Sequence, residues 1–266
     1  MGSVYEAAME WLASPSSQTA MREGVAGGLE AAATTLVITA VLELVSLDTV
    51  RMIHQKQPGG PALYRQSIAV NFFNHFVLGI PVYSLAVLLF CRTTDEDDQQ
   101  GGLLATVLRI LGIIFIHDIL YYEAHKTMHS GPGWYRFHKF HHRFRNFIPP
   151  SSANAVSIVE YLLAYVIPFA MAAFLIHPSE AEFRITVNIV SVANLLIHTP
   201  AYDPVSKYLE AVYLVSTRNH SDHHRKLTMN YAAPIFNLDR LLDELIGSDS
   251  GGDGGGSKAT AAGVAS

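Results

Sequence analysis

Long apolar stretches separated by short polar segments dominate the chain. Five of them approach or reach the roughly 20 residues that cross a bilayer as a helix; they are Leu29–Val50, Phe72–Cys91, Leu103–Tyr122, Ala155–His177 and Phe183–His198. Phe72–Cys91 has too few polar positions for an amphipathic helix at the surface of a soluble protein. The pattern predicts an all-α integral membrane bundle of four to five spans. Buried core helices of a soluble protein are the alternative.

Composition divides the chain into three parts. Residues 1–30 are more polar and form an N-terminal lead-in, and residues 31–246 hold the predicted membrane domain. Residues 247–266 are rich in Gly, Ser and Ala, which is typical of a flexible tail. The chain has one cysteine, Cys91, so an intrachain disulfide is excluded.

The distribution of charge orients the predicted spans. Of the 18 Lys and Arg residues, 14 lie in three segments, residues 51–70, 123–154 and 201–266. The loop Cys91–Gly102 carries four acidic residues and one arginine. The positive-inside rule therefore places the three basic segments in the cytosol and the acidic loop on the opposite side. The short turn near Pro178 is expected on the same side as the acidic loop.

Histidine is concentrated in three short boxes. Eight of the 13 histidines lie in His125-Lys-Thr-Met-His129, His138-Lys-Phe-His141-His142 and His220-Ser-Asp-His223-His224. At this histidine frequency the H-x-x-H-H pattern should occur by chance only about 0.03 times in the chain, when matches are counted against a template. It occurs twice, and neutral imidazoles are good ligands of transition metals. The boxes therefore predict metal binding.

The helical spacing of the histidines predicts how they would be arranged around a metal. Residues three or four apart share a helix face, so each box can present two or three nitrogens to a common centre. Eight imidazoles exceed the four ligands of a structural zinc ion. Two metal ions sharing eight to ten ligands are therefore predicted, and all three boxes lie in segments assigned to the cytosolic side.

The boxes and their flanks resemble a known family. The run Asp118-x-x-x-Tyr122-x-x-His125-x-x-x-His129, followed by the other two boxes, is similar to the motifs of the fatty acid hydroxylase/sterol desaturase superfamily. The later segments Asn230-Tyr-Ala-Ala and Leu238-Asp239-Arg240 resemble the closing segment of that family, in which a Trp usually stands at the position of Leu238. The resemblance covers residues 103–248. It implies an integral-membrane, non-haem di-iron oxygenase.

The resemblance also implies a set of site residues. Two iron ions would be held by the eight box histidines and by two residues of Asn194-Leu-Leu-Ile-His198. The nine histidines of this set would also be the catalytic residues: His125, His129, His138, His141, His142, His198, His220, His223 and His224. Lys126 stands where the family usually has Arg.

Other polar residues near the boxes receive different roles. Asp118 and Glu160 are candidates to orient ligating imidazoles through the second ring nitrogen. For Asp118 a polar contact inside the helix is an equal alternative, and His117 is left open between a ligand and a neighbour of the site. His54, His75 and His177 lie near the ends of predicted spans and are assigned no metal role.

The implied activity is an O2-dependent hydroxylation or desaturation of a hydrophobic substrate from the bilayer, such as a sterol, a fatty acyl lipid or a terpenoid-like metabolite. The sequence shows no flavin, haem or nicotinamide fingerprint, so an external electron donor is expected, with cytochrome b5 and its reductase implied by the resemblance. The implied location is the endoplasmic reticulum. A net charge of −5 with scattered basic residues gives no sign of nucleic-acid binding.

Two alternatives stay open. One is another reaction on the same scaffold: epoxidation, deformylation or isomerisation. The other is a membrane transporter that binds zinc or iron, although transporters place their polar ligands near the middle of the membrane.

Overall fold

The computed structural model describes residues 3–92 and 102–249, and within these ranges the chain is helical and has no β-strand. The helices are α1 Val4–Ala13, α2 Pro15–Val45, α3 Leu47–Lys56, α4 Gly60–Phe90, α5 Leu103–Met128, α6 Pro132–His138, α7 Ile158–Ile176, α8 Glu180–Ile197, α9 Ser206–Ala211, α10 Thr217–Lys226 and α11 Leu238–Asp249. Short 3-10 turns lie at His141–Arg143, Pro150–Ser152 and Pro200–Val205.

Four of the described helices, α2, α4, α5 and α7, are long and apolar enough to cross a membrane. Helix α8 together with Pro200–Ala211, bent by 93°, can form a fifth span. Apolar side chains on the outer surface, such as Val41, Phe115 and Phe174, are about half exposed, as expected for contact with lipid tails. The predicted all-α bundle of four to five spans is confirmed, and the chain is an integral membrane protein.

Helix α2 begins earlier than the apolar stretch that predicts it, at Pro15 rather than Leu29. The side chain of Ser14 caps the helix by accepting the Ser17 N–H, and Pro15 suits the first helical position. Small residues then let α2 approach α4, because a Cβ on Gly24 would lie only 2.7 Å from Ser84 Cα. Helix α2 therefore crosses residue 30. The division into residues 1–30, 31–246 and 247–266 remains a prediction.

The two ends of the bundle carry different chemistry. At one end, Glu182 pairs with Arg109 at 2.7 Å and with Arg92 at 3.2 Å, which joins the turn between α7 and α8 to α4 and α5. At the other end lie the three histidine boxes, around the last turn of α5 and the first turn of α7. This arrangement agrees with the predicted separation of the Pro178 turn from the boxes. The acidic residues 95–98 lie outside the described residues.

The sidedness of the two ends is testable by labelling. In a chain whose Cys91 is replaced by Ser, Gln99→Cys and Gly254→Cys are expected to react with an impermeant maleimide from opposite sides of sealed vesicles, because α5, α7 and α8 would make three crossings between the two positions. Permeabilised vesicles provide the control, since both sites should then react. Reaction of both sites from the same side would require a different number of spans.

Candidate metal centre

Nine buried or half-buried histidines converge in two adjoining groups. In each group the candidate ligand nitrogens all lie within 4.8 Å of one another. Site A consists of His125, His129, His138, His142 and His223, and site B consists of His141, His198, His220 and His224. The sites touch, because the rings of His142 and His224 are 4.7 Å apart between centroids. The nine histidines singled out in the sequence are therefore the ones that the fold brings together.

Each H-x-x-H-H box is divided between the two sites. The members four residues apart stay together, with His138 and His142 in site A and His220 and His224 in site B. The third member of each box, His141 or His223, joins the other site. In the second box, α6 ends at His138 and a 3-10 turn begins at His141, so this box is not on one continuous helix. Helical spacing alone therefore predicts the pairs but not their division.

Hydrogen bonds to the Nδ1 atoms fix the tautomers of most of these rings. Six Nδ1 atoms face oxygen atoms that only accept, so these nitrogens carry the proton and leave a lone pair on Nε2. The contacts are His125 to Tyr231 O at 2.7 Å, His138 to Glu160 Oε1 at 2.6 Å, His141 to Ser152 O at 3.1 Å, His198 to Asn194 O at 2.7 Å, His223 to Met229 O at 2.8 Å and His224 to Phe144 O at 3.0 Å.

The Nε2 lone pairs of neighbouring rings lie close to one another. The Nε2 atoms of His125 and His138 are 3.0 Å apart, and those of His141 and His198 are 3.4 Å apart, although neither nitrogen in either pair carries a proton. Two lone pairs at this distance repel unless a cation lies between them. In addition, His223 Nε2 is buried and has no hydrogen-bond partner among the described residues. The donor set therefore fits a transition-metal cation, for which imidazole nitrogen is a suitable ligand.

Burial keeps these imidazoles neutral, which is the form that binds metal. It lowers the pKa of His138, His142 and His220 well below 6.5, and nearby histidines lower these pKa values further. Burial also lowers the pKa of His223 to about 4. The rings are therefore unprotonated at neutral pH, and their lone pairs are available to a cation.

Of the other polar residues considered for the site, Glu160 contacts it, and Asp118 and His117 do not. Glu160 contacts a ring of site A directly, whereas Asp118 reaches neither site. One Asp118 oxygen lies 3.1 Å from His117 Nδ1, and the other accepts the Phe236 N–H at 2.8 Å. His117 belongs to neither group and packs against Phe169.

Asn194 lies next to site B, but its side chain makes no described contact with the imidazole rings of that site. Its Nδ2 donates to Ala153 O and to Asn154 Oδ1, both at 3.3 Å, while its backbone carbonyl accepts from His198. Its assignment as a metal ligand stays a prediction.

Residues from the N-terminal half of the chain support the loop that orients His141. Ser152, whose carbonyl accepts the His141 N–H, follows Ser151, and the Ser151 N–H donates to Glu43 Oε1 at 2.8 Å. The other Glu43 oxygen accepts from Tyr64 at 2.9 Å, and Asn71 donates to Ser151 O at 3.2 Å. Sequence reasoning did not assign these residues to the site. The available signal was a carboxylate and an amide inside apolar spans, where polar groups are costly and usually functional.

Glu43→Gln is expected to weaken the site without touching a ligand. Both partners of Glu43 donate to its carboxylate. Hydrogen bonds to a charged group contribute about 1.5–3 kcal/mol, against about 0.5–1.5 kcal/mol for neutral pairs, so the uncharged glutamine amide should hold the loop less firmly, by about 1 kcal/mol. The temperature of unfolding in detergent should fall accordingly, and a chelator should remove bound metal faster. Glu123→Gln is the control, since Glu123 is exposed on α5. Equal metal retention in both variants would show that the loop needs no such support.

A C-terminal segment closes the site from the other side. The carbonyls of Met229 and Tyr231 accept from His223 and His125. Asp239 holds this segment by accepting the Ala232 N–H at 2.7 Å, and Asn230 donates to Asn219 O at 3.1 Å. The sequence segments around Asn230 and Asp239 thus shape the backbone that fixes two site A imidazoles.

A cavity of about 320 Å³ lies between α2, α4, α7 and α8. Its wall is mostly apolar, and Asn194, one turn before His198, lies on it. Leu85 and Leu89 line the cavity and are also about half exposed on the outer surface of α4. The cavity therefore extends from the lipid-facing surface of the bundle towards site B.

Fold and site together define an integral membrane protein with two adjoining histidine groups at one end of a helical bundle, each of which could hold a metal ion. The family model described as fatty acid hydroxylase matches residues 110–244, which include all nine histidines. The chain belongs to this family, and the predicted membership in the fatty acid hydroxylase/sterol desaturase superfamily is confirmed.

A curated relative agrees with this membership. The chain is similar to human lathosterol oxidase, with 24% identity over 167 residues, which is 62% of this chain and 54% of the relative. The chain thus spans about half the length of the relative. No solved structure matches.

Proposed function

We propose that the chain is a membrane-bound non-haem di-iron oxidoreductase that uses O2 to hydroxylate or desaturate a hydrophobic substrate. The observation that carries this proposal is the pair of all-imidazole groups with fixed tautomers, which adjoin each other beside an apolar cavity. Nine converging imidazoles are more than one ion takes, so two iron ions are the economical assignment.

The bound iron would supply the reduction of O2 to an oxidant that removes hydrogen from an unactivated C–H bond. Hydroxylation consumes O2, two electrons and two protons and yields the alcohol and one water. Desaturation consumes the same inputs and yields the alkene and two waters. The protein residues bind the substrate, hold the ligating imidazoles in place and keep bulk water out.

The cavity supports a lipid substrate that enters from the bilayer. Its open side lies among lipid-facing residues of α4, and its inner end approaches site B through Asn194. The similarity to a lathosterol oxidase favours a sterol or another small lipid, with fatty acyl and terpenoid-like substrates as members of the same chemical class. Epoxidation, deformylation and isomerisation remain alternative outcomes on this scaffold.

A metal transporter is less well supported by the arrangement of ligands. Transporters bind their cargo near the middle of the membrane, between discontinuous helices. Here the ligands gather at the end of α5, in α6 and the 3-10 turn that follows it, at the end of α8 and in α10, at one end of the described bundle.

Labelled oxygen tests the proposed reaction. Full-length protein in nanodiscs, supplied with a reduced donor and a panel of sterols and acyl lipids, is expected to convert at least one substrate only when O2 is present. A hydroxylated product should carry one atom of ¹⁸O from ¹⁸O2, and a desaturated product should lack two hydrogens. Conversion under anaerobic conditions without a donor would contradict the oxygenase proposal.

The electron donor is proposed to be cytochrome b5 with its reductase, docking on the face that carries the boxes. We place this face in the cytosol, at the endoplasmic reticulum. Arg218 has an acidic neighbour in Asp203, and Arg225 and Lys226 have one in Asp222. Among the described residues, Lys139, Arg143 and Arg145 are exposed and have no carboxylate within ion-pair distance. These three cations are therefore the best candidates to attract an acidic donor.

Reversal of Arg143 and Arg145 to Glu is expected to slow donor-driven turnover at low salt and to weaken its salt dependence, because electrostatic steering would be lost. Iron content should stay unchanged. The double reversal of Arg51 and Lys56, exposed on α3, is the control. Equal rates for the Arg143 and Arg145 variant and the parent at low ionic strength would place the docking face elsewhere.

A further inference from the structure

Two buried polar atoms on the wall of the cavity have no hydrogen-bond partner among the described residues. They are Asn154 Nδ2 and His75 Nε2. A buried donor or acceptor without a partner costs free energy, so such atoms usually have a ligand or a water as partner. Asn154 itself is only 4% exposed.

The orientation of the Asn154 amide is fixed by its neighbours. Asn194 Nδ2 donates to the carbonyl of Ala153, so this side chain presents its amide hydrogens to Asn154 and meets Asn154 Oδ1 at 3.3 Å. The Nδ2 atom of Asn154 is therefore left as a donor without an acceptor.

His75 lies on the neighbouring stretch of the wall. The preceding residue, Asn74, donates through its side chain to the carbonyl of Asn154 at 3.0 Å and to that of Val156 at 3.0 Å. These bonds hold the segment that carries His75 against the loop that carries Asn154. The imidazole has no role at the metal sites, because it belongs to neither histidine group.

This polar part of the cavity borders site B. Asn154 is two residues after Ser152, which accepts from His141, and its partner Asn194 is one turn before His198. A group held by Asn154 therefore lies at the inner end of the cavity, near the metal ligands.

The remaining wall limits the charge of that group. The described residues that line the cavity include no Lys, Arg, Asp or Glu. A carboxylate or an ammonium group would be buried there without an opposite charge, which is strongly unfavourable. A neutral hydroxyl suits the chemistry of both free atoms, because its oxygen accepts from an amide and its proton is available to an imidazole nitrogen.

We propose that Asn154 and His75 bind the hydroxyl group of an uncharged lipid alcohol, which enters the cavity with its hydroxyl end innermost. This step rests on the proposed function. Together they predict that the C–H bond that reacts lies close to that hydroxyl and not at the far end of the apolar tail. Asn154 and His75 act as positioning residues for the substrate.

Binding of matched probe pairs tests this proposal without turnover. The full chain in nanodiscs is equilibrated with labelled hexadecanol or hexadecane, and with cholestanol or cholestane, against empty nanodiscs of the same lipid. In at least one pair the parent is expected to prefer the alcohol by about tenfold, the effect of one buried hydrogen bond. His75→Phe and Asn154→Leu should bind the hydrocarbon as the parent does and lose the preference.

Two further variants separate recognition from folding. His75→Gln keeps a donor and an acceptor and should retain most of the preference. Leu85→Ala removes an apolar contact of the wall and should weaken both members of a pair equally. Absence of any preference in the parent, or its persistence in both His75→Phe and Asn154→Leu, would overturn the proposal. Donor-driven product formation is measured on the same samples, so that failure of the oxygenase proposal is seen separately from failure of hydroxyl binding.

Discussion

His141→Ala and His223→Ala are each expected to lose metal and all detectable turnover while the chain still inserts into the membrane. Each substitution removes the histidine that its box contributes to the other site, so one variant damages site B and the other damages site A. Neither change alters an apolar span, so expression and membrane insertion should be preserved. Metal analysis of the purified variants, together with an activity assay, measures the effect.

His54→Ala is the matched control for these variants. His54 is exposed, lies edge-to-face with Tyr64 at 5.5 Å between ring centroids, and belongs to neither histidine group. It should retain metal and activity. Full activity in His141→Ala or His223→Ala would show that the corresponding imidazole is not a required ligand.

Glu160→Gln is expected to lower metal affinity or turnover by about 10- to 100-fold, the usual effect of losing a group that orients a ligating histidine. The Glu160 carboxylate accepts the Nδ1 proton of His138 at 2.6 Å, and both side chains are buried. An uncharged amide accepts this proton more weakly and makes the His138 imidazole a poorer donor to a cation. Metal affinity is measured by competition with a chelator.

Asp118→Asn distinguishes this effect from a general loss of stability. Asp118 is equally buried but contacts His117 and the backbone of Ile235 and Phe236. Its substitution should lower the temperature of unfolding and reduce metal affinity much less than Glu160→Gln does. If Asp118→Asn lost metal as strongly as Glu160→Gln, metal loss would follow from destabilisation and not from the orientation of His138.

The sequence predicts the spans because lipid-facing helices require apolar side chains on most positions. It places the start of α2 too late, since residues 15–28 are mostly small or polar and include the charged Arg22 and Glu23. Their contribution is close packing against α4, seen at Gly24 and Ser84, and hydropathy does not register this contact. The same residues therefore look like a lead-in until their packing partner is known.

The sequence also predicts the nine histidines that converge, because the boxes carry recognisable spacing and the family resemblance implies His198. It does not predict their division, since this depends on the break between His138 and His141 and on the packing of His223 and His224 of α10 against His142. The support of His141 by Glu43 runs through Ser151, which lies 108 positions from Glu43, and it needs the tertiary fold. Asp118, although close to the first box in sequence, faces the C-terminal segment instead of either site.

Iron content of the purified full chain tests the central claim most directly. Protein expressed in iron-replete medium and measured by mass spectrometry of the metals is expected to hold about two iron ions per chain, because nine converging imidazoles exceed the needs of one ion. Iron should fall in parallel with activity when a chelator is added. One zinc ion per chain with no iron, in protein that retains its activity, would contradict the di-iron assignment.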